Sequence, residues 1–223
     1  PDADFSGYKL LILPNFIMCR SEWSKKIEDF VAGGGSVIMD FRSGIKDWNN
    51  KILKEVLPGP FKELLGIEIH EYGIIIKDDA VAIAGEKYNG RAAQWFEVIK
   101  TLGARTLAIY EGEYYDKCPA ITKNSFGKGT GYYISTRTDE KLLHGLMGDI
   151  FNECGIYPAL EVPYGVEVIE RKGKKGTLLF VINHSGAAQE IRTDGKYTDI
   201  LTQKPEADCF ILAPNGVLVL KNL

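Results

Sequence analysis

The 223-residue sequence has almost no excess charge and no apolar run long enough to cross a bilayer. Its formal net charge at pH 7 is −3, and lysines and acids alternate along the chain. The one basic cluster, residues 171–175, is centred on a glycine between two strand patterns, which is typical of a solvated hairpin tip. We therefore expect no nucleic-acid partner and no membrane partner.

Paired cysteines and histidine-rich motifs are also missing. The four cysteines are far apart and form no C-x-x-C motif, and none of the three histidines lies near one at metal-ligand spacing. We expect no metal and no cofactor, and a reducing, cytoplasmic setting is the default. Because the chain starts at Pro1 rather than at a methionine, a leader on a longer parent protein stays open.

Signals for catalysis are scarce. Glu167 and Glu170 are the best local acid pair, but they are three residues apart in a strand pattern and so point to opposite faces. The glycines of residues 127–131 lie in a predicted hairpin rather than between a strand and a helix, which argues against a dinucleotide fingerprint. His70, His144 and His184 have no evident orienting acid. We predict no catalytic residue, and the substrate-binding residues stay unknown.

The N-terminal part has the pattern of a β-α-β unit. Residues 8–13 form a short apolar run typical of a buried parallel strand. Ser21 can cap a helix that the glycines of residues 33–35 end, and residues 37–41 form the next strand. Such a unit predicts a sheet covered by helices.

The rest of the chain has three parts with different patterns. Residues 44–105 are irregular, with a short helical piece at 61–65 and a segment at 95–102 that fits a helix or a strand. A clean amphipathic helix begins at Asp139 and ends at Gly155, and residues 157–163 form the linker. Beyond it, short alternating runs separated by turn residues predict a small all-β domain.

Several segments together carry a family resemblance. Residues 118–136 (CPAITKNSFGKGTGYYIST) read as a strand, a glycine-rich turn and a returning strand. With this segment and those that follow, the chain resembles the trimerisation domain and the small C-terminal β domain of glycoside hydrolase family 42 β-galactosidases. The other matching segments fall in the family's order: 8–14, 30–38, 41–45, 58–61, 64–67, 107–110, 164–168 and 178–184.

The resemblance implies a fold and a function. Residues 1–158 would form a flavodoxin-like, three-layer α/β domain similar to class I glutamine amidotransferases and shortened at its N-terminus, and residues 163–223 an antiparallel β sandwich. The parent enzyme would be a homotrimer that hydrolyses terminal non-reducing β-D-galactosides in a (β/α)8 barrel. Such a barrel needs about 250 residues, so this chain would be a non-catalytic part that serves assembly.

Two rival functions stay open. Cys19 lies between a strand and a helix, as the nucleophile of a glutamine amidotransferase-like thiol enzyme does, although Met18 and Arg20 replace the small neighbours of such a turn. Alternatively, the β domain is a carbohydrate-binding module, which its lack of tryptophan disfavours.

Three aromatic residues are candidates for contact with sugar or with a neighbouring subunit. Trp48 lies in a loop, and Tyr114 and Tyr115 are adjacent. Each can present a stacking face or anchor an interface, or it can pack within its own loop. We expect the isolated chain to be a monomer or a weak oligomer, because the family's threefold contact also involves the barrels.

Overall fold

The computed structural model describes residues 3–76, 80–174, 176–193, 195, 197–201, 204–206 and 208–222, with the backbone alone at 204–206 and 222. The chain divides into two compact units, Pro1–Ile156 and Tyr157–Leu223. Each unit has its own apolar core.

Unit 1 contains twelve strands and three α-helices among its described residues. The helices are α1 (Ser21–Ala32), α2 (Lys62–Leu65), which a 3-10 turn at Gly59–Phe61 precedes, and α3 (Glu140–Glu153). The strands are β1 (Leu10–Leu13), β2 (Met18–Cys19), β3 (Ser36–Asp40), β4 (Lys46–Asp47), β5 (Ile67–Gly73), β6 (Val81–Ala84), β7 (Gly90–Ala93), β8 (Phe96–Thr101), β9 (Arg105–Glu111), β10 (Pro119–Phe126), β11 (Gly129–Ile134) and β12 (Arg137–Thr138).

One sheet of eight strands organises unit 1, in the order β1-β3-β11-β10-β9-β6-β7-β12. Only the β1–β3 and β3–β11 pairs are parallel, and the remaining neighbours are antiparallel. The predicted β-α-β unit is confirmed as β1, α1 and β3. The helix begins one residue earlier than predicted, because Arg20 and not Ser21 occupies the N-cap position. The Arg20 side chain makes no capping hydrogen bond.

The prediction of a flavodoxin-like three-layer fold is wrong. Strands account for 44% of the structure and helices for 16%, and the large sheet curls into a half-barrel. A three-layer fold needs a helix between successive parallel strands. Here hairpins replace those crossovers: β9, β10 and β11 follow one another antiparallel, and β6 pairs with β7. The glutamine amidotransferase-like fold is wrong for the same reason.

The irregular middle region contains a two-stranded ribbon that carries Tyr72 and Glu97, two residues of the candidate site described below. β5 and β8 form a two-stranded antiparallel sheet in which Ile67 lies opposite Thr101. The segment at 95–102, which fitted either a helix or a strand, is therefore strand β8. Its short helical neighbour, predicted at 61–65, is confirmed as the 3-10 turn and α2.

The described residues of unit 2 form seven strands, and all of the strand pairs among them are antiparallel. A five-stranded sheet has the order β13-β14-β19-β16-β17, and β15 pairs with β18. Leu179, Val181, Ile191 and Leu220 are at the centre of its core. The strands are β13 (Val166–Gly173), β14 (Gly176–Asn183), β15 (Gln189–Arg192), β16 (Tyr197–Asp199), β17 (Lys204–Glu206), β18 (Cys209–Leu212) and β19 (Val217–Asn222).

Candidate functional site

The carboxyl group with the most strongly raised pKa is that of Glu97, the second residue of β8. It is 1% exposed. Its Oε1 accepts hydrogen bonds from the Arg42 backbone N–H at 2.9 Å and from Trp95 Nε1 at 3.2 Å. Its Oε2 accepts one from the Tyr133 hydroxyl at 2.7 Å. The carboxyl group therefore ties together the loop after β3, the start of β8 and strand β11.

Burial dominates the electrostatics of this carboxyl group. Removal from water disfavours the charged form and raises the pKa of Glu97 to about 7, although the hydrogen bonds from Arg42, Tyr133 and Trp95 favour the carboxylate and oppose the rise. The charge of Asp40 raises it further. Because Glu97 is shielded from solvent, it cannot touch a substrate. Its role is to hold the Arg42 backbone and the Trp95 and Tyr133 side chains in place by hydrogen bonds.

Those groups present an aromatic platform, which we define as Phe41, Tyr72 and Trp95. The rings of Tyr72 and Trp95 stack with centroids 5.3 Å apart and planes 15° apart, and Phe41 stacks on Trp95 at 6.4 Å. The Arg42 guanidinium lies 5.1 Å from the Trp95 centroid, within cation–π range. The platform lies beside the C-terminal end of β3, because Phe41 directly follows Asp40, the last residue of that strand.

The environment of Cys19 does not activate its thiol. Cys19 is buried and its Sγ donates to the Arg20 carbonyl at 3.1 Å. Burial raises the pKa of its thiol to about 11, and the charges of Glu22 and Glu28 add to that rise. At neutral pH the side chain is therefore a protonated thiol, which is a poor nucleophile. The rival interpretation as an amidotransferase-like enzyme is wrong on the fold and has no support from this cysteine.

The three aromatic candidates occupy different environments. Trp48 is 48% exposed, with the Arg20 guanidinium 4.1 Å from its centroid and the Trp23 ring edge-on at 5.0 Å. Tyr115 is a core residue, since it is 4% exposed and stacks on Phe96 at 4.2 Å.

Tyr114, by contrast, is 68% exposed. Its hydroxyl donates to Glu71 Oε1. The rings of Tyr114 and Tyr115 pack edge to face with centroids 5.1 Å apart, and of the two only Tyr114 is exposed to solvent. A contact of Trp48 or Tyr114 with sugar or with a subunit stays a prediction.

Two histidines have acid partners that the sequence did not reveal. His184 Nε2 lies 2.8 Å from Glu167 Oε2, and His70 Nε2 lies 3.3 Å from Glu68 Oε2. Three of these four side chains are well exposed, and Glu68 is the less exposed one, so both are surface pairs. Cross-strand pairing explains the first: Glu167 lies opposite Ile182, two residues before His184. Across the described part of the chain, no group of three His, Cys, Asp or Glu residues is arranged to hold a metal ion.

The residue before His184 has a structural role. Asn183 is fully buried, and its Nδ2 donates to the carbonyls of Ala187, Leu212 and Ala213 at 2.8, 3.2 and 2.9 Å. Its Oδ1 accepts from the backbone N–H and hydroxyl of Ser185. One amide group thus closes two loops of unit 2.

Unit 2 offers few aromatic faces for a sugar. Tyr197 is 8% exposed and belongs to the core, and Phe180 and Phe210 are half-buried. Tyr157 and Tyr164 are the exposed aromatic side chains of the described part of this unit. This distribution does not favour a carbohydrate-binding module.

Comparison with known proteins gives matches over both units. Residues 1–157 match the family model described as the β-galactosidase trimerisation domain, and residues 165–222 match the β-galactosidase C-terminal domain. β-Galactosidase LacZ of Heyndrickxia coagulans is 33% identical over 222 residues, which cover 99% of this chain and 33% of that protein. β-Galactosidase BgaB of a Geobacillus strain is 34% identical over 185 residues, which cover 83% of this chain and 28% of that protein.

Solved structures agree. A β-galactosidase from Bacillus circulans sp. alkalophilus superposes with a TM-score of 0.93 at 29% identity, over all of this chain and 34% of that one. The enzyme from Rahnella sp. R3 superposes with a TM-score of 0.92 at 28% identity, over 99% of this chain and 33% of that one. The chain therefore spans about a third of the length of these relatives.

Proposed function

We propose that this chain, which belongs to the glycoside hydrolase family 42 β-galactosidases, is the non-catalytic C-terminal part of an enzyme that hydrolyses terminal non-reducing β-D-galactosides. In the parent enzyme its role is to assemble and support the subunits. The observation that carries the proposal is the match of two consecutive family models, a trimerisation domain and a C-terminal domain, over nearly all of the 223 residues.

Chain length supports the non-catalytic role. A (β/α)8 barrel requires about 250 residues, more than the whole chain provides, and the two matched domains leave only a short linker between them. The most perturbed carboxyl group, Glu97, is enclosed in the core of unit 1. A retaining glycosidase instead needs two carboxyl groups about 5 Å apart that both reach the substrate.

Self-association of the parent enzyme is the second part of the proposal, and the description of the first matched domain supports it. We propose a homotrimer, held by unit 1, with the galactoside bound by the part of the enzyme outside this chain. For the setting we propose the cytoplasm, supported by four cysteines that are all free. Among the described residues, no helix is long and apolar enough to span a bilayer.

A hydrolysis assay and a ligand screen test the function. The purified chain should release no aryl group from an aryl β-galactoside above a buffer blank, and it should bind no galactoside. A turnover that follows the protein peak through a second purification would contradict the non-catalytic role. Binding of β-galactosides by unit 2 would instead favour a carbohydrate-binding module.

A further inference from the structure

The hydrogen-bond partners of Glu97 are all donors, and only one of them can also accept. The Arg42 backbone N–H and the Trp95 indole N–H both donate to Oε1, and neither group can accept a hydrogen bond in return. The Tyr133 hydroxyl, 2.7 Å from Oε2, can donate or accept. A proton on the carboxyl group can therefore reside on Oε2, with the Tyr133 oxygen as its acceptor, while Oε1 keeps both of its donors.

The charged form of Glu97 has no cation to balance it. None of the ion pairs between described residues includes this carboxyl group. Arg42 donates to the carboxyl group through its backbone N–H, and its guanidinium lies against the Trp95 ring, 5.1 Å from the ring centre. A carboxylate enclosed without a counter-ion is strongly disfavoured relative to one in water. The closed site therefore suits the neutral form better than the charged form.

The other titratable groups around Glu97 supply no positive charge. They are Asp40 at the end of β3, Tyr72, which lies opposite Glu97 in the β5–β8 register, Tyr110 of β9 and Tyr133 of β11. The negative charge of Asp40 opposes ionisation of Glu97. Burial raises the pKa of the Tyr110 and Tyr133 hydroxyls, which keeps both neutral at neutral pH. Burial also raises the pKa of Glu97 to about 7, so its charge changes in the neutral range.

The two sides of the site differ in how firmly they are held. Tyr133 is fully buried on β11, inside the large sheet. Arg42 is exposed and Trp95 is half-buried, and both lie outside the strands. Arg42 has a φ angle of +67°, a left-handed conformation that is unfavourable for a residue other than glycine. Because Glu97 binds the N–H of this strained residue, loss of that bond frees the loop to relax.

We propose that Glu97 is a pH switch that controls the aromatic platform. With its proton bound, the carboxyl group holds the Arg42 loop and the Trp95 indole closed over itself. When the proton passes to solvent, the unbalanced charge favours an open form, in which water reaches the carboxylate and Trp95 leaves its stack with Tyr72. Tyr133 stays in the sheet. The switch is a property of unit 1 and does not depend on the proposed assembly function.

Hydrogen exchange of the Trp95 indole N–H, measured by NMR on the isotope-labelled 223-residue chain, tests the switch. This N–H exchanges when its hydrogen bond to Glu97 is broken. The reference protein is Glu97→Gln, whose side chain cannot ionise, and the ratio of the two rates at each pH removes the pH dependence of the exchange chemistry itself. Trp95→Phe identifies the signal. Glu55→Gln removes a carboxylate from an exposed loop and is the matched control.

We expect the ratio of the wild-type rate to the Glu97→Gln rate to rise about 30-fold between about pH 5.5 and about pH 8.5, because the carboxyl pKa is 4.5 in the open form and about 7 in the closed form. Glu55→Gln should follow wild type, and the exposed Trp48 indole N–H should show a constant ratio. A constant ratio for Trp95 would overturn the switch.

A second comparison separates local opening from unfolding of unit 1. The Trp95 indole N–H and the Arg42 backbone N–H should be protected from exchange at least about tenfold less than the backbone N–H groups of β10 and β11, because only part of the unit opens. Equal protection of both sets would mean that Glu97 is reached only through unfolding of the whole unit, and it would overturn the switch even if the ratio changed with pH.

Discussion

Replacing Glu97 with glutamine should remove a pH dependence from the stability of unit 1. The pKa of Glu97 is raised from its ordinary value of 4.5 to about 7 in the folded protein. A carboxyl group with a raised folded-state pKa stabilises the fold fully below pH 4.5, and this contribution is lost as the pH rises through 7. Since one pKa unit corresponds to about 1.4 kcal/mol, the loss is about 3 kcal/mol.

Glutamine has nearly the same shape and never ionises. Its carbonyl can accept from the Arg42 N–H and the Trp95 indole, and its amide can donate to the Tyr133 hydroxyl oxygen. Glu97→Gln should therefore match wild type at about pH 4.5 and exceed it by up to about 3 kcal/mol in free energy of unfolding at about pH 8.5. Glu55→Gln removes a carboxylate from an exposed loop and should leave the wild-type pH dependence unchanged.

Urea unfolding followed by tryptophan fluorescence measures this stability selectively. The three tryptophans, Trp23, Trp48 and Trp95, all belong to unit 1, so unit 2 does not contribute to the signal. The decisive quantity is the difference between Glu97→Gln and wild type at the two pH values. An unchanged difference would mean that Glu97 has the same pKa in the folded and in the unfolded protein, and the argument from burial would be refuted.

Three further predictions follow from packing and burial. Asn183→Ala should destabilise unit 2 by about 3 kcal/mol, because three backbone carbonyls lose their shared donor. Hydrogen exchange of strands β14 and β18 measures this loss of stability. The control His184→Ala removes one member of an exposed pair and should change the stability by under about 1 kcal/mol. Gly129→Ala should destabilise unit 1 by several kcal/mol at least, because the new Cβ would lie 2.0 Å from the Gly35 carbonyl oxygen. The matched variant Gly145→Ala in α3 meets nothing within 4 Å and should stabilise unit 1 by about 1 kcal/mol. Urea unfolding followed by fluorescence compares the two variants, and equal effects would contradict the packing argument. Cys19 should react with a thiol reagent at neutral pH far more slowly than free cysteine, because burial raises the pKa of its thiol to about 11; labelling read by mass spectrometry of the peptide would show a fast reaction if this is wrong.

The family could be identified from the sequence because its signals are local and numerous. The turn chemistry of residues 118–136 and the apolar runs on either side fix a hairpin, and the structure places that hairpin as β10 and β11. The amphipathic helix from Asp139 also depends on near neighbours, since the Asp139 side chain accepts from the Leu142 N–H.

The sheet of unit 1 could not be predicted in the same way. β6 (VAIA) and β7 (GRAA) are each only four residues long, and β7 contains no β-branched or aromatic residue, so neither gives a strong strand signal of its own. They become strands because β9 pairs with β6, and β12 with β7. The three-layer fold was predicted from the family resemblance, and the β-α-β pattern of the first forty residues agreed with it. Beyond that unit hairpins, and not helices, connect neighbouring strands of the large sheet.

The candidate site shows the same division. Its residues are Phe41, Arg42, Tyr72, Trp95, Glu97 and Tyr133, and no sequence pattern connects them. The one local signal is a glutamate between Phe96 and Val98 in an apolar strand. Local sequence determined the family, the β10–β11 hairpin and the helices, because those depend on residues near one another in the chain. Only the tertiary structure decided that Glu97 is enclosed and that Trp95 and Tyr72 stack at the surface, because burial and stacking depend on strands that meet from distant parts of the chain.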